Sequence, residues 1–216
     1  MLKDIMSGIC AGILISIGGS VFLANDNKIV GAVLFTVALL CICYKSYALF
    51  TGKVGYLPED HSKKAVSTLL LALLGNTIAC VAFGFLLRVA LPNLGEAAAT
   101  LCQGKLDNQA LWQTLVRGIM CGILMYLAVS IFRDKKTPLG IIFCIPVFIL
   151  SGFEHSIADI FYFGASGIVS LKAFGFLWTV ILGNAIGGVL LPTLQGVWTQ
   201  KPAETTAQEG AAYAKK

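Results

Sequence analysis

Residues 5 to 24 run for twenty positions without a charged side chain. As a helix, that length matches the roughly 20 residues needed to cross the hydrocarbon core of a bilayer. Further apolar runs follow at Ile29–Tyr44, Ala65–Leu87, 110–132, Pro138–Phe153 continuing into Ser156–Leu171, and Phe174–Trp198. Apolar residues make up 57% of the 216 and charged residues 12%, about half the roughly 25% charged content of a soluble domain. A globule of this size could not bury so much apolar surface. A disordered chain, a secreted disulfide scaffold and an ordinary cytosolic enzyme are therefore excluded. The first run also exceeds the roughly 7–15 residues of a signal-peptide core, so it reads as a retained first helix. The fold class is an all-α integral membrane protein with six transmembrane helices, in a lipid bilayer.

An even number of spans places both termini on one side. That side holds 11 of the 16 Lys and Arg and the other side 5, counting Lys28, Arg88, Lys105, Arg117 and Lys172 with the latter. The positive-inside rule then predicts cytoplasmic termini in a multi-pass protein of the cell membrane. No basic block alternates with aromatics, which argues against nucleic acid as a partner. Six of the seven cysteines sit inside apolar runs without a CxxC pair or a His cluster. They read as packing residues, and the sequence argues for no metal and no cofactor.

Two short patterns recur. Gly8-Ile9 with Gly12-Ile13-Leu14 returns as Gly118-Ile119 with Gly122-Ile123-Leu124, and Leu74-Gly75-Asn76 returns as Leu182-Gly183-Asn184. Spans one and four therefore match, as do spans three and six. The middle members, two and five, are the interrupted ones, at Phe50-Thr51-Gly52-Lys53 and at Glu154-His155. Three spans per half is odd, so the halves lie inverted in the membrane. The organisation expected is a single channel domain over 1–198, with repeat one about 4–91 and repeat two about 109–198, followed by a disordered cytoplasmic tail over 199–216. Broken backbone within hydrocarbon is tolerated only where protein or a water-filled cavity satisfies it. Paired breaks in inverted halves point to a permeation path.

Glu154, His155 and Asp159 fall within six residues of an otherwise apolar stretch. Ionisable groups at that depth are costly unless paired or wetted. His155, at a break near mid-membrane, is read as a pore residue. Glu154 and Asp159 stay open between scaffolding and function.

The stretch Gly152-Phe153-Glu154-His155-Ser156-Ile157-Ala158 resembles the signature of the formate/nitrite transporter family. Leu49-Phe50-Thr51 is similar to the threonine-bearing loop of that family's second helix, and Leu182-Gly183-Asn184 with Gly187-Gly188 to its last span. The resemblance extends from about Ile9 to Trp198. It implies an aquaporin-like six-helix protomer, a homopentamer, and one pore per protomer for a small monovalent anion or its weak acid, of the formate, nitrite or hydrosulfide class. By the same resemblance His155 matches the central pore histidine and Thr51 its hydrogen-bonding partner. Leu39, Leu49 and Phe50 match the cytoplasmic constriction, and Phe35 and Phe148 the outer one. Glu154, Asn76 and Asn184 join the pore or substrate set, with Lys136 and Lys53 as the basic residues of the cytoplasmic mouth. Three departures stand out. The N-terminal cytoplasmic amphipathic helix of typical members has no match, leaving Lys3 to supply its charge. Asp159 stands where members commonly have Asn. Lys136 is one position out of register.

The mechanism implied begins with desolvation. A bare anion cannot cross apolar constrictions cheaply, whereas its neutral acid can. His155 could donate a hydrogen bond or lend a proton. A proton-coupled carrier of the same substrates is the alternative. An intramembrane enzyme using Glu154, His155 and Asp159 and a non-transporting membrane scaffold are the remaining classes, although the spans hold no second His and no HEXXH motif, and a scaffold leaves the paired breaks unexplained.

Overall fold

The computed structural model describes residues 1–199, and these are helical throughout apart from short connections. The expected tail, from residue 200 onward, lies outside the described residues. Five helices are long and apolar enough to cross a membrane: α1 (Leu2–Ala24), α2 (Lys28–Lys45), α4 (Lys63–Ala90), α6 (Leu111–Lys135) and α9 (Leu171–Thr199). Between α2 and α4 comes the single turn α3 (Phe50–Lys53), with a 3-10 turn at Val54–Tyr56. Between α6 and α9 the chain forms two shorter helices, α7 (Leu139–Leu150) and α8 (Ser156–Ser166). Large apolar side chains on the periphery, such as Phe85, Leu70, Val33 and Trp178, are exposed. They face outward because the surrounding solvent for which this surface is built is hydrocarbon.

One sequence boundary moves. The interruption after α2 lies at Ser46–Leu49, and Phe50-Thr51-Gly52-Lys53, read from sequence as the break, is itself the helical turn that resumes after it. The backbone stops where Ser46 adopts φ 57°. The second interruption spans Ser151–His155.

One helix has no counterpart in the sequence reading, namely α5 (Pro92–Asn108). Pro92 stands in its first turn, where the missing N–H costs nothing. Its buried face carries Leu94, Ala98, Cys102 and Leu106, at the four-residue spacing of a helix side. α5 packs against α8 and α4.

The two recurring sequence patterns become two helix pairs. α1 lies against α4, and α6 against α9. Both pairs approach at glycine. A Cβ on Gly8 would stand 2.7 Å from the Ala72 carbonyl oxygen, and one on Gly183 would stand 2.7 Å from that of Leu115. Gly118 and Gly183 face each other with equally little room. Small residues here let backbones touch, which matters because helices in lipid gain no hydrophobic driving force from association. Gly187→Leu, whose side chain would run into the Ile119 backbone, is expected to cost about 1–3 kcal/mol or more through overpacking. Gly175→Ala meets nothing within 4 Å and is expected to leave stability unchanged or slightly raised. Thermal unfolding of the detergent-solubilised protein measures both, and equal melting temperatures for the two variants would contradict the close approach.

Candidate functional site

The site is built where the two helices break. α2 ends with Ser46 in the left-handed region and the Tyr47 N–H donating to the Ile42 carbonyl at 3.0 Å. α7 ends in the same way. Gly152 has φ 68°, and the Phe153 N–H donates to the Phe148 carbonyl at 3.0 Å. This is the Schellman geometry that closes a helix C-terminus. It explains the glycine of Gly152-Phe153-Glu154-His155, since a Cβ is disfavoured at that φ. At the matching place Ser46 bears that cost of about 1–2 kcal/mol.

Each break then runs extended for a few residues before helix resumes, and an asparagine holds each one. The Asn76 carboxamide donates to the carbonyls of Gly8 (2.8 Å) and Ala48 (3.0 Å) and accepts from the Phe50 N–H (2.9 Å). The Asn184 carboxamide donates to Gly118 (2.8 Å) and Glu154 (2.8 Å) and accepts from the Ser156 N–H (2.8 Å). Even the residual N–H groups correspond. That of Ala48 donates to Ser7 Oγ at 2.9 Å, and that of Glu154 to the Arg117 carbonyl at 3.4 Å. Both asparagines are fully buried, with both amide hydrogens engaged by backbone. The sequence grouped them with the pore or substrate residues. The structure gives them a backbone-holding role, because no donor is left for an anion and neither lines the cavity beside His155 or the one beside Lys53.

The breaks bring Thr51 and His155 together. Thr51 Oγ1 lies 2.9 Å from His155 Nε2, and both residues are buried. His155 is also the N-cap of α8, its Nδ1 accepting the Ala158 N–H at 3.1 Å. A neutral imidazole that accepts at Nδ1 carries its proton at Nε2, so His155 donates to Thr51. Phe148 stacks on the imidazole with centroids 5.6 Å apart.

Two cavities follow one another along α2. The first, about 200 Å³, is lined by Phe35, Phe148 and His155, and extends to Lys105, Gln109, Arg117, Glu154 and Asp159. The second, about 260 Å³, is lined by Leu39, Leu49, Gly52 and Tyr56 and extends to Lys53, Arg133 and Lys136. Phe35 and Leu39 are one helical turn apart, so the apolar pairs Phe35/Phe148 and Leu39/Leu49 line neighbouring cavities, each of which also has charged side chains in its wall. Phe50, expected at the cytoplasmic constriction, is buried and lines neither cavity. Its ring packs in the apolar core, and its N–H donates to Asn76 Oδ1.

Two charged residues of the site escaped the sequence reading. Lys105 had been counted as a loop charge. It lies on α5 with its ammonium against Glu154 Oε2 and 3.0 Å from Asp159 Oδ1. The signal that could have found it is the Leu94, Ala98, Cys102 periodicity, which carries Lys105 onto the buried side. Arg133 is one of the 11 basic residues on the side of the termini. It forks onto Glu59, with two contacts of 3.2 Å, and covers the Tyr56 ring at 4.1 Å. Among the described residues no group of three or more His, Cys, Asp or Glu is arranged to hold a metal ion.

The profile of the family described as Formate/nitrite transporter matches residues 1–198. Among similar proteins, the "Uncharacterized transporter YwcJ" of Bacillus subtilis (strain 168) is 29% identical, over 88% of this chain and 86% of its own. The "Probable formate transporter" of Methanothermobacter thermautotrophicus is 27% identical, over 76% and 72%. Two solved structures share the fold. One, a "Pentameric formate channel with formate bound", has a TM-score of 0.73 and 24% identity over 91% of this chain and 95% of that one. The other, an "FNT family ion channel", has a TM-score of 0.79 and 22% identity over 93% and 91%.

Replacing either carboxamide isolates its role as a backbone partner. Asn184→Leu strands the Glu154 carbonyl and the Ser156 N–H, at about 1–3 kcal/mol each when left unsatisfied, while the Gly118 carbonyl keeps its partner within α6. The expected outcome is a large fall in melting temperature or failure to assemble, and a purified variant melting with the wild type would overturn the assignment.

Proposed function

Because the chain belongs to the formate/nitrite transporter family, we propose that it passes a small monovalent anion, or its conjugate acid, between the two cavities past Thr51 and His155. It is a membrane transport protein rather than an enzyme. The substrate class is formate, nitrite or hydrosulfide. The observation that carries the reading is the Thr51–His155 hydrogen bond, made where both interrupted helices resume and flanked by the two cavities.

The physical steps follow from the residues. Lys53 and Lys136, exposed beside the second cavity, raise the local anion concentration at the cytoplasmic mouth. Leu39 and Leu49 on one side, and Phe35 and Phe148 on the other, strip water and oppose a bare charge. Between them the Nε2–H of His155 and the hydroxyl hydrogen of Thr51 are the polar hydrogens set to turn to an incoming oxyanion. The imidazole N–H is the one that must leave Thr51 to do so. It polarises the anion by a hydrogen bond; the ring transfers a proton only as imidazolium, after Nδ1 releases the Ala158 N–H and takes a proton from water, so that it returns to neutral as the species crossing the apolar pair becomes neutral. The two halves act as inverted repeats, about 4–91 and 109–198, with α7 and α8 together supplying the sixth crossing. The protein is a homopentamer in the cell membrane with both termini cytoplasmic. The charge asymmetry of the connections and the fold shared with a pentameric formate channel support this.

Stopped-flow uptake into proteoliposomes tests the reading. Formate, nitrite or hydrosulfide is expected to enter faster than acetate and chloride, and equal leakage of all five would sink it. Saturable uptake with stoichiometric proton movement would identify a coupled carrier. His155→Asn keeps an acceptor for the Ala158 N–H but removes the imidazole from Thr51. It is expected to lower formate flux at a fixed pH on the order of tenfold, the scale of one lost charge-assisted hydrogen bond, while the assembly stays intact. Flux equal to the wild type would remove His155 from the path.

A further inference from the structure

The charged wall of the first cavity does not balance. Lys105 bridges two carboxylates, Glu154 and Asp159, and the three side chains are 14%, 3% and 2% exposed. With both acids ionised the trio carries a net charge of −1 beside a path read as carrying anions. The two acids differ in their partners. Glu154 uses both oxygens, Oε2 on Lys105 and Oε1 on the Gln109 amide at 2.7 Å. Asp159 uses only Oδ1. Its Oδ2 is buried and has no hydrogen-bond partner. An ionised oxygen left unmatched in such a place is costly, whereas a proton on Oδ2 removes the excess charge.

The surrounding groups do not supply the missing balance. His155, on the same turn of chain, has both ring nitrogens engaged. Tyr162 on α8, Cys102 on α5 and Cys121 on α6 are uncharged neighbours. Arg117 of α6 lies at the cavity rim, only half-buried, with its guanidinium on the Gly152 carbonyl at 3.3 Å, where water screens it. Arg88 of α4 is committed to the Ser166 carbonyl at 3.2 Å. Lys172 of α9 faces Asp107 of α5 in an exposed pair at 3.6 Å.

We propose that Asp159 binds the proton that keeps the Lys105–Glu154–Asp159 cluster neutral, so that protonated Asp159 admits a small anion towards His155 and ionised Asp159 opposes it. The inference rests on the proposed function for its consequence, but not for the protonation itself. Its sign is fixed. As pH rises and Asp159 ionises, anion entry from this cavity weakens beyond the fall that loss of the neutral acid already imposes on any variant.

The ratio of Asp159→Asn flux to wild-type flux isolates the effect, because the supply of neutral acid is common to both. Formate uptake into proteoliposomes is measured across about pH 5 to 8. The two proteins are expected to agree at the acid end. At the alkaline end the variant should exceed the wild type on the order of tenfold, the scale of one unit charge acting across a protein interior. A ratio that does not change with pH overturns the proposal. If neither protein passes formate, nitrite or hydrosulfide, the functional reading fails and infrared spectroscopy decides the proton alone. A protonated-carboxyl stretch present near neutral pH in the wild type and lost in Asp159→Asn supports it, and its absence from the wild type overturns it. Should Asp159→Asn not assemble, Asp159→Ser takes its place in both measurements.

Discussion

A backbone broken among apolar helices must still satisfy its N–H and C=O groups, and everything functional in this molecule depends on how that is done. Each interruption is tied by one asparagine that makes three hydrogen bonds, two to carbonyls and one from an N–H. Lipid could not replace any of these bonds. The glycine contacts between α1 and α4, and between α6 and α9, bring each asparagine close enough to reach across. Packing and polar satisfaction are therefore one arrangement, made twice.

The two halves are alike in backbone and unlike in chemistry. At corresponding positions of the extended segments stand Ala48 and Glu154, then Leu49 and His155, then Phe50 and Ser156. The first half supplies apolar closure and the second supplies the imidazole and the acid. Thr51, one residue further on in the first half, crosses to His155 of the second. A symmetric scaffold can hold an asymmetric path because the bonds that shape it go to backbone atoms, which do not depend on side-chain identity.

Charge is distributed with the same asymmetry. Around the second cavity Lys53 and Lys136 are exposed cations, while Arg133 is neutralised by Glu59. Around the first cavity the central cation, Lys105, is buried between two acids. Exposed charges act at a distance and are screened by salt. Buried ones act strongly over a short range, and their effect depends on each partner's protonation.

The sequence by itself determined the membrane class, the position of the five long helices to within a few residues and the interruption before Ser156; the pairing of Thr51 with His155 was implied only by the family resemblance. Uncharged runs of membrane length and two recurring glycine-asparagine patterns are local facts, and local facts are readable along a chain. What only the tertiary structure decided were contacts between residues far apart. It withdrew Asn76 and Asn184 from the permeation path to hold backbone, kept Phe50 out of both cavities, and moved the first break to Ser46–Leu49. It also brought Lys105 of an unforeseen helix onto Glu154 and Asp159. A side chain's partners depend on which face of which neighbour it meets, and that is fixed only when the helices pack.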